Sequence, residues 1–413
     1  MKRQIKNLLI TIRIFKLVIF LKQRCTLLVL DILAFFIFLF FSFLKISEKK
    51  IILYGLCSNR IGAIGYNMEI LLRRIKNDIN LRKRNIHVVA CMYVPAANRQ
   101  LLNMYRREIR VIENRLLGEI LLHSGIKNAG FYHSLKYTIN VDYEFNCLKP
   151  ALSFTEKEKD LGRKKLKEMG ISEKDWFVCF HSRASNYETH YHGLDISQRN
   201  DFRDSKIENY LLAAEYIVSQ GGYAIRMGAV IDRPLHKKRN PRIIDYSVDY
   251  RSDFMDIYLA GNCKFFLGNT AGIYIVSTIF GVPVAWANSI PYNVAPLTTK
   301  DAFIPKKIWD IKKNRFLTFE EIFNSDIVNY CLTEQYRNAG LDVIENSADE
   351  ILELAKEVNM RLDNEYISDS ESERLQVKFN LLLKPRIRFG FPGRIGAYFL
   401  NKNKDLFENY NHL

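Results

Sequence analysis

Short apolar runs alternate with longer amphipathic stretches through the middle of the chain. The strand-like runs are about five residues long and the helix-like stretches about twelve, a spacing that predicts βαβ units and a parallel sheet. The predicted strands cover 176–180, 223–225, 242–246, 263–267 and 282–286, with helices at 207–219 and in the run that ends at 280. The pattern therefore predicts an α/β fold.

The first globular part begins with a similar pattern. The predicted elements are a strand at 50–55, a polar loop with glycines at 58–67, a helix at 68–77, a strand at 85–94 and a helix at 105–122. Strand, loop and helix in this order are typical of a nucleotide-binding domain, although the loop has neither the Walker nor the GxGxxG pattern. Arg60, Gly62 and Asn67 are therefore either parts of a ligand loop or residues of a simple turn.

Further amphipathic helices are predicted at 156–169, 348–362 and 370–383. The first is highly charged and suits a connector between domains. The predicted parts are a basic and hydrophobic arm at 1–50, a domain at 51–165, a second domain at 166–345, and helices at 346–413 that pack back on the first domain.

Polar residues follow several of the predicted strands. In open parallel sheets, ligands bind outside the carboxyl ends of the strands, so these residues are expected to converge on one crevice. Arginines can clamp an anion, and a glycine-containing loop at a helix N-terminus frees N–H groups for a phosphate. The candidates for binding a phosphate-bearing ligand are His181, Arg183, Arg226, Gly228, Asp253, Gly268, Asn269, Thr270 and Gly272.

Structural alternatives exist for these candidates. His181 could be a hydrogen-bonded residue that caps the sheet, and Arg183 and Arg226 could form structural ion pairs. Asp253 follows Ser252, which suits a helix N-cap, so capping alone would explain both residues.

A polar loop at 188–204 offers carboxylates and imidazoles for general-base chemistry. Asp195 and His192 are our first choices for a catalytic base, with a solvated loop as the alternative. The spacing of acidic and histidine residues in the loop matches no standard metal site, so we expect no metal.

The formal net charge of +16 indicates an anionic partner, which could be a phosphorylated ligand, a lipid headgroup or a nucleic acid. We expect no nucleic acid, because zinc-finger spacing, ribonucleoprotein motifs and a single basic face are all missing from the sequence. The seven cysteines include no CxxC pair, which favours a reducing, cytoplasmic environment.

The first 30 residues contain seven Lys or Arg and no acid, and residues 26–46 are mostly apolar. This arm could span a bilayer, lie in its interface as an in-plane anchor, or pack on the globular body. We favour the in-plane form, at the cytoplasmic face of a bacterial inner membrane.

Several of these motifs occur in a consistent order along the chain. They include Ser58-x-Arg60-Ile61-Gly62, His181-x-Arg183, Asp204-x-x-Ile207-Glu208-x-Tyr210, Arg251-Ser252-Asp253-x-Met255-Asp256, Phe280-Gly281-Val282-Pro283 and Ile304-Pro305-Lys306. Together they resemble a family of bacterial glycosyltransferases linked to surface-polysaccharide synthesis. The resemblance implies a GT-B-like architecture: two Rossmann-like domains with parallel sheets, a nucleotide-sugar donor held mainly by the second, and no obligatory metal.

His181-x-Arg183 is also similar to the strand-end motif of fucosyltransferases, whose arginine contacts the donor diphosphate. By that analogy, Arg183 would stabilise the leaving diphosphate. The expected activity is metal-independent hexosyl or deoxyhexosyl transfer from a nucleotide sugar, as co-substrate, to a lipid-linked or polysaccharide acceptor in cell-surface glycan synthesis. The alternatives are a nucleotide-sugar epimerase or hydrolase on the same scaffold, or a catalytically silent membrane-associated scaffold of a polysaccharide assembly complex.

Overall fold

The computed structural model describes residues 50–123, 132–134, 142–184, 200–231, 233–235, 240–383 and 393–407, together with 25, 28, 29, 31–33, 35 and 36 of the arm. The chain divides into two compact units, Met1–Lys136 and Tyr137–Leu413. The four-part division expected from the sequence stays a prediction.

The first unit contains a parallel sheet with the order β3-β2-β1-β4. Its strands are β1 (Lys50–Leu56), β2 (Asn85–Cys91), β3 (Arg110–Glu113) and β4 (Tyr132–Ser134). Its helices are α1 (Ile61–Asn77), α2 (Ile79–Arg84), α3 (Arg99–Arg106) and α4 (Arg115–His123). The order 3-2-1-4 is that of a doubly wound sheet, in which the chain reverses direction beside its first strand.

Helix α1 begins at Ile61, earlier than the predicted start at 68. The loop prediction for Gly62 and Asn67 is therefore wrong, since both residues are buried within the helix. The reason is that apolar positions continue upstream at helical spacing, and the glycines do not interrupt them. These buried positions are Ile64, Met68, Leu71 and Ile75. Arg60 remains outside the helix as its exposed N-cap residue.

The single helix predicted at 105–122 is also wrong, because strand β3 interrupts it. Val111 and Ile112 are β-branched, which favours a strand, and they pair in parallel with Val89 and Ala90 of β2. Hydrogen-bonded pairing with β2 therefore overrides the helical periodicity of the flanking residues, although β3 is a partly exposed edge strand.

The second unit contains a seven-stranded parallel sheet with the order β14-β10-β9-β8-β5-β6-β7. Its strands are β5 (Phe177–His181), β6 (Tyr223–Arg226), β7 (Ile243–Ile244), β8 (Phe266–Gly268), β9 (Val284–Ser289), β10 (Ala302–Pro305) and β14 (Arg394–Ile395). Counted from β5, the order contains 3-2-1-4-5-6, the arrangement of dinucleotide-binding sheets. The predicted parallel α/β architecture is confirmed.

A small antiparallel sheet joins β11 (Lys307–Asp310), β12 (Arg315–Phe316) and β13 (Leu341–Ile344) in the order β12-β11-β13. The helices of the second unit before this sheet are α5 (Asp142–Asn146), α6 (Glu156–Glu168), α7 (Leu211–Ser219), α8 (Tyr246–Asp249), α9 (Asp253–Asn262) and α10 (Tyr274–Ile279). The later helices are α11 (Phe319–Phe323), α12 (Thr333–Asn338), α13 (Ala348–Leu362), α14 (Ser370–Leu383) and α15 (Ala397–Lys402).

The seven-stranded sheet has crossover helices on both faces. Helix α7 packs on β5, β6 and β7, and α10 packs on β8 and β9. The crossovers β5–α7–β6 and β8–α10–β9 run in opposite directions along the sheet, and right-handed crossovers then place their helices on opposite faces. All residues of β5 are buried, as expected for a strand covered on both faces.

Helices α13 and α14 have the predicted bounds. Ser347 caps α13 in a capping box with Glu350, and α13 packs on α7, β9 and β10 within the second unit. The predicted packing of these helices on the first domain stays a prediction.

The described residues of the arm are helical. Leu33 packs against a core cluster of the first unit formed by Leu53, Val88, Ala90 and Ile120. Among the described residues of the arm, the large apolar side chains exposed to solvent are those of Leu28, Val29, Ile32, Phe35 and Phe36. In the part of the chain that the structure describes, we find no helix with both the length and the apolar character needed to cross a membrane.

Candidate functional site

The sheet of the second unit has its topological switch point between β5 and β8. From β5 the chain proceeds to β6 and β7 on one side, then crosses to β8, β9 and β10 on the other. His181 at the end of β5 lies opposite Gly268 at the end of β8. A crevice at this position is where open α/β sheets bind ligands.

Gly268 has no room for a side chain. A Cβ atom there would lie 2.8 Å from Cε1 of Phe266 and 3.3 Å from the carbonyl oxygen of His181. A larger residue would push the two strand ends apart, so this glycine fixes the width of the sheet at the switch point.

His181 is a buried, neutral imidazole. Its Nδ1 lies 2.9 Å from the carbonyl oxygen of Met227, and a carbonyl only accepts, so Nδ1 carries the proton. Burial, with smaller contributions from the charges of Arg226 and Arg183, lowers the pKa of His181 to about 4. The three residues predicted to clamp an anion therefore lie close enough to interact electrostatically.

Arg183 is held by the segment Asn200–Ser205. Its NH1 donates to Oδ1 of Asp204 and, over 3.2 Å, to the carbonyl oxygen of Asn200. Its backbone N–H donates to Oδ1 of Asn269 over 3.0 Å. The Arg183 side chain is 7% exposed. Its ion pair with Asp204 is the structural alternative that the sequence analysis considered for this residue.

Asp204 is a partly buried carboxylate. Oδ1 accepts from Arg183, whereas Oδ2 is buried and has no hydrogen-bond partner among the described residues. Burial raises the pKa of Asp204 to about 6, although the nearby Arg183 and Lys306 charges act in the opposite direction.

Lys306 directly follows β10 and is 2% exposed. Its Nζ donates to the carbonyl oxygen of Asp204 over 2.5 Å. Burial lowers the pKa of Lys306 to about 8, while the carboxylates of Glu345 and Asp204 raise it. Asp204 and Lys306 were not among the predicted site residues. A lysine immediately after a buried strand is the sequence signal that could have identified the second.

The geometry of the sheet locates Asp204. Strands β5 and β10 are separated by β8 and β9, so their ends lie three strand spacings apart, roughly 14 Å. Long side chains from both ends, Arg183 and Lys306, reach Asp204. Nδ2 of Asn269 donates over 2.9 Å to both the carbonyl oxygen of Arg203 and Oγ of Ser205. Asp204 therefore lies over the carboxyl ends of β8 and β9.

The loop after β8 holds the protein together more than it opens to a ligand. Asn269 is fully buried and its amide makes only contacts within the protein, as described above. Oγ1 of Thr270 accepts from the backbone N–H of Ile290 over 3.2 Å. Helix α10 begins at Tyr274, two residues after Gly272, and the phosphate-binding role expected for this loop stays a prediction. Gly272 is exposed.

Arg226 holds neighbouring loops. Its NH1 donates to the carbonyl oxygen of Arg233 over 2.8 Å and lies 3.3 Å from Oδ2 of Asp245. Gly228, in the same loop, lies beside Ser247: a Cβ on Gly228 would be 3.2 Å from Oγ of Ser247.

Asp253 lies in the first turn of α9, and Ser252 caps this helix by accepting from the N–H of Met255 over 3.2 Å. The predicted N-cap is confirmed. Three residues after Asp253, Asp256 is buried and accepts from the hydroxyl of Tyr246 over 2.9 Å.

Two groups of predicted residues cannot be joined to this site. Asp195 and His192 lie outside the described residues. Arg60, Gly62 and Asn67 belong to the first unit. Among the residues that the structure describes, no group of three or more His, Cys, Asp or Glu could hold a metal ion.

No family model matches this chain, and no curated protein matches it. Solved structures similar to it include a glycosyl transferase family 9 protein from Veillonella parvula, with 12% identity, 59% of this chain and 81% of that chain covered, and a TM-score of 0.38. The ADP-heptose LPS heptosyltransferase II of E. coli is 15% identical, with 62% of this chain and 89% of that chain covered and a TM-score of 0.41. The iron-containing dodecameric glycosyltransferase TibC of enterotoxigenic E. coli is 8% identical, with 60% of this chain and 61% of that chain covered and a TM-score of 0.31. Likenesses at these values do not transfer an activity to this chain.

Proposed function

We propose that this chain is a glycosyltransferase that moves a sugar from a nucleotide-sugar donor to a lipid-linked or polysaccharide acceptor. The observation that carries the proposal is the position of His181 and Arg183 at the topological switch point, with Arg226 beside them. A switch-point crevice next to buried guanidinium groups suits a diphosphate, because arginine binds phosphate oxygens in a bidentate manner.

The chemistry needs positive charge where the donor breaks. When the bond between the sugar and the diphosphate breaks, negative charge develops on the leaving group, and fixed cations in a site that excludes water stabilise it. Arg183 follows β5 and the buried Lys306 follows β10, so both cations lie at the carboxyl edge of the sheet. Since these cations supply the charge that a divalent metal supplies in other transferases, we propose metal-independent transfer.

The arm supports an acceptor that lies at a membrane. With about 100° of rotation per helical residue, Leu28, Ile32, Phe35 and Phe36 share one side of the helix, and Leu33 points away from it towards the first unit. A helix that contacts the body on one side and exposes apolar residues on another suits an in-plane anchor. Anionic lipids of a cytoplasmic leaflet would attract the basic residues at 1–30.

The membrane position and the donor site together indicate work on cell-surface glycans at the cytoplasmic face of a bacterial inner membrane. Lipid-linked acceptors lie at that face, within reach of an enzyme held in the interface. The sugar that suits the fucosyltransferase-like His181-x-Arg183 motif is a hexose or deoxyhexose.

The test is thermal unfolding of the full chain in detergent with UDP-, GDP-, ADP-, CDP- and dTDP-sugars. A sugar nucleotide at about a hundredfold over its Kd should add about 2.7 kcal/mol of stability, which is a clear rise in Tm. The same nucleotide should then release its nucleoside diphosphate when membrane extracts supply the acceptor. A folded protein that responds to none of these donors would contradict the proposal.

A further inference from the structure

We propose that Asp204 is the general base that removes the proton from the acceptor hydroxyl, a role that rests on the proposed glycosyl transfer. Position is the first argument. Arg183 from the end of β5 and Lys306 from the end of β10 both reach Asp204, so it lies over the carboxyl ends of β8 and β9. In an inverting displacement the base and the leaving group lie on opposite faces of the anomeric carbon, so the base must lie near the cations that hold the leaving group but across the sugar from them.

The hydrogen bonds of the carboxylate are the second argument. Oδ1 of Asp204 is held by Arg183, and Oδ2 is buried with no hydrogen-bond partner among the described residues. A buried acceptor without a donor is rare and requires an explanation. A hydroxyl group can donate to Oδ2, whereas a fully ionised diphosphate has no proton to donate and would be repelled. The geometry therefore favours the acceptor hydroxyl over the donor diphosphate at this oxygen.

Asp201 of the same segment shows the contrast. Its Oδ1 accepts from the hydroxyl of Thr333, and its Oδ2 lies 3.0 Å from NH2 of Arg337. Both oxygens are occupied, so Asp201 has a structural role and serves as the matched control for Asp204.

The surrounding charges keep Asp204 near the range of a useful base. Arg183 and Lys306 face it from the ends of β5 and β10, and Asp201 faces it from its own segment; Glu345 acts on the same cluster through Lys306. Burial is the largest influence and raises the pKa of Asp204 to about 6. A base with this pKa is ionised at neutral pH yet still accepts a proton readily.

The proposed step is a single inverting displacement. Oδ2 of Asp204 takes the acceptor hydroxyl proton as the acceptor oxygen forms its bond to the anomeric carbon. The bond between that carbon and the diphosphate oxygen breaks, and its electron pair leaves with the nucleoside diphosphate. Asp204 then returns the proton to water, and the product has the anomeric configuration opposite to that of the donor.

The experiment compares the wild-type full chain with Asp204→Asn and Asp201→Asn. Each protein is given the sugar nucleotide that the donor panel identifies, with membrane extract as the acceptor source, and transfer is followed from pH 4.5 to 8.5. We expect wild-type kcat to rise with pH, to be half-maximal near pH 6 and to level off above about pH 7. Asp204→Asn should lower kcat by 10²–10⁴-fold and remove this rise, while Asp201→Asn keeps both.

Folding and donor binding are measured on the same samples. Asparagine retains an oxygen that can accept from Arg183, so Asp204→Asn should unfold in one transition and bind the nucleoside diphosphate within about threefold of wild type. Loss of binding together with loss of transfer would overturn the base role in favour of a purely structural Arg183–Asp204 pair.

Other outcomes overturn the proposal in distinguishable ways. If wild type transfers sugar and Asp204→Asn has the same rate and pH profile, Asp204 is excluded as the base. The proposed glycosyltransferase activity is then unaffected. Loss of the pH-dependent rise in Asp195→Asn or His192→Gln, with Asp204→Asn unaffected, assigns the base to Asp195 or His192 instead. If wild type cleaves none of the sugar nucleotides, the proposed glycosyltransferase activity is itself contradicted.

Discussion

Asn288 and Asn346 hold each other through a reciprocal pair of hydrogen bonds. The backbone N–H of Asn288 donates to Oδ1 of Asn346 over 2.6 Å, and the backbone N–H of Asn346 donates to Oδ1 of Asn288 over 2.7 Å. Nδ2 of Asn288 donates to the hydroxyl of Tyr210, and Nδ2 of Asn346 donates to the carbonyl oxygen of Pro305. Both asparagines are fully buried, so this pair joins the ends of β9 and β10 to the start of α13.

Replacing Asn346 with alanine should destabilise the protein strongly. The change removes the acceptor of the Asn288 N–H and the donor to Pro305, and buried groups left without partners cost about 1–3 kcal/mol each. We expect a loss of about 2–5 kcal/mol in the free energy of unfolding, measured by urea denaturation. Gln220→Ala, at an exposed position, is the control. A loss below about 1 kcal/mol would show that water replaces the pair.

Arg183→Ala should lower transfer more than Arg337→Ala does. Arg183 is buried at the switch point, whereas Arg337 is 61% exposed and pairs with Asp201 away from the crevice. If Arg183 contacts the leaving diphosphate, its loss should raise the barrier by ~2–4 kcal/mol, seen as a fall in kcat/KM. Arg183→Lys should restore little of this, because lysine cannot reproduce a bidentate contact. Equal kcat/KM values for wild type and Arg183→Ala would exclude that contact.

Lys306→Met should change the pH dependence of the free energy of unfolding and lower the rate of sugar transfer. The folded pKa of Lys306 is lowered to about 8 from 10.5, so the unfolded chain binds more protons between these values. Stability therefore rises with pH in that window, and the desolvation penalty is fully present below about pH 8. Methionine removes the charge, so wild type should gain roughly 2 kcal/mol relative to Lys306→Met between pH 7.5 and 10.

The measurement for Lys306 is urea denaturation of both proteins at several pH values, with sugar transfer at pH 7.5 alongside. We expect Lys306→Met to be as stable as wild type or more stable at pH 7.5, yet less active. A constant stability difference across the pH range would mean that folding does not lower the pKa of Lys306.

The combined change Phe35→Asp and Phe36→Asp should weaken membrane binding. Both rings are exposed on the arm, by 57% and 62%, and inserting an aromatic side chain into the interface contributes about 1.5–3 kcal/mol. The measurement is co-sedimentation with vesicles of anionic and zwitterionic lipid. We expect the partition coefficient between vesicles and buffer to fall at least tenfold. Leu116→Asp, on exposed Leu116 of the first unit, is the control. Equal effects of both changes would indicate general loss of solubility rather than an anchor.

The parallel sheet could be predicted because its strands are short buried runs with their own local signal. Phe177 to Phe180 are all apolar and buried, and the polar residues that follow them lie at one edge by the geometry of any parallel sheet. The partner of Arg183 could not be predicted in this way. Asp204 is 21 residues away in sequence, and no local pattern signals an ion pair over that separation.

The glycines of the first unit show the opposite limitation. Gly62 and Gly65 suggested a loop by their conformational freedom, yet the surrounding apolar spacing places both inside α1. Local propensity is a weak guide when burial of one helix face supplies more stabilisation than the glycines cost.

Strand β14 borders β10 at the outer side of the large sheet, and it comes from residues 394 and 395. During synthesis on a ribosome, β10 emerges about ninety residues before the segment that will cover it. All four β10 residues are buried in the finished protein, so the growing chain carries an apolar strand with one open edge for that interval. Nascent chains of this protein should therefore depend on chaperones until their last strand has been translated.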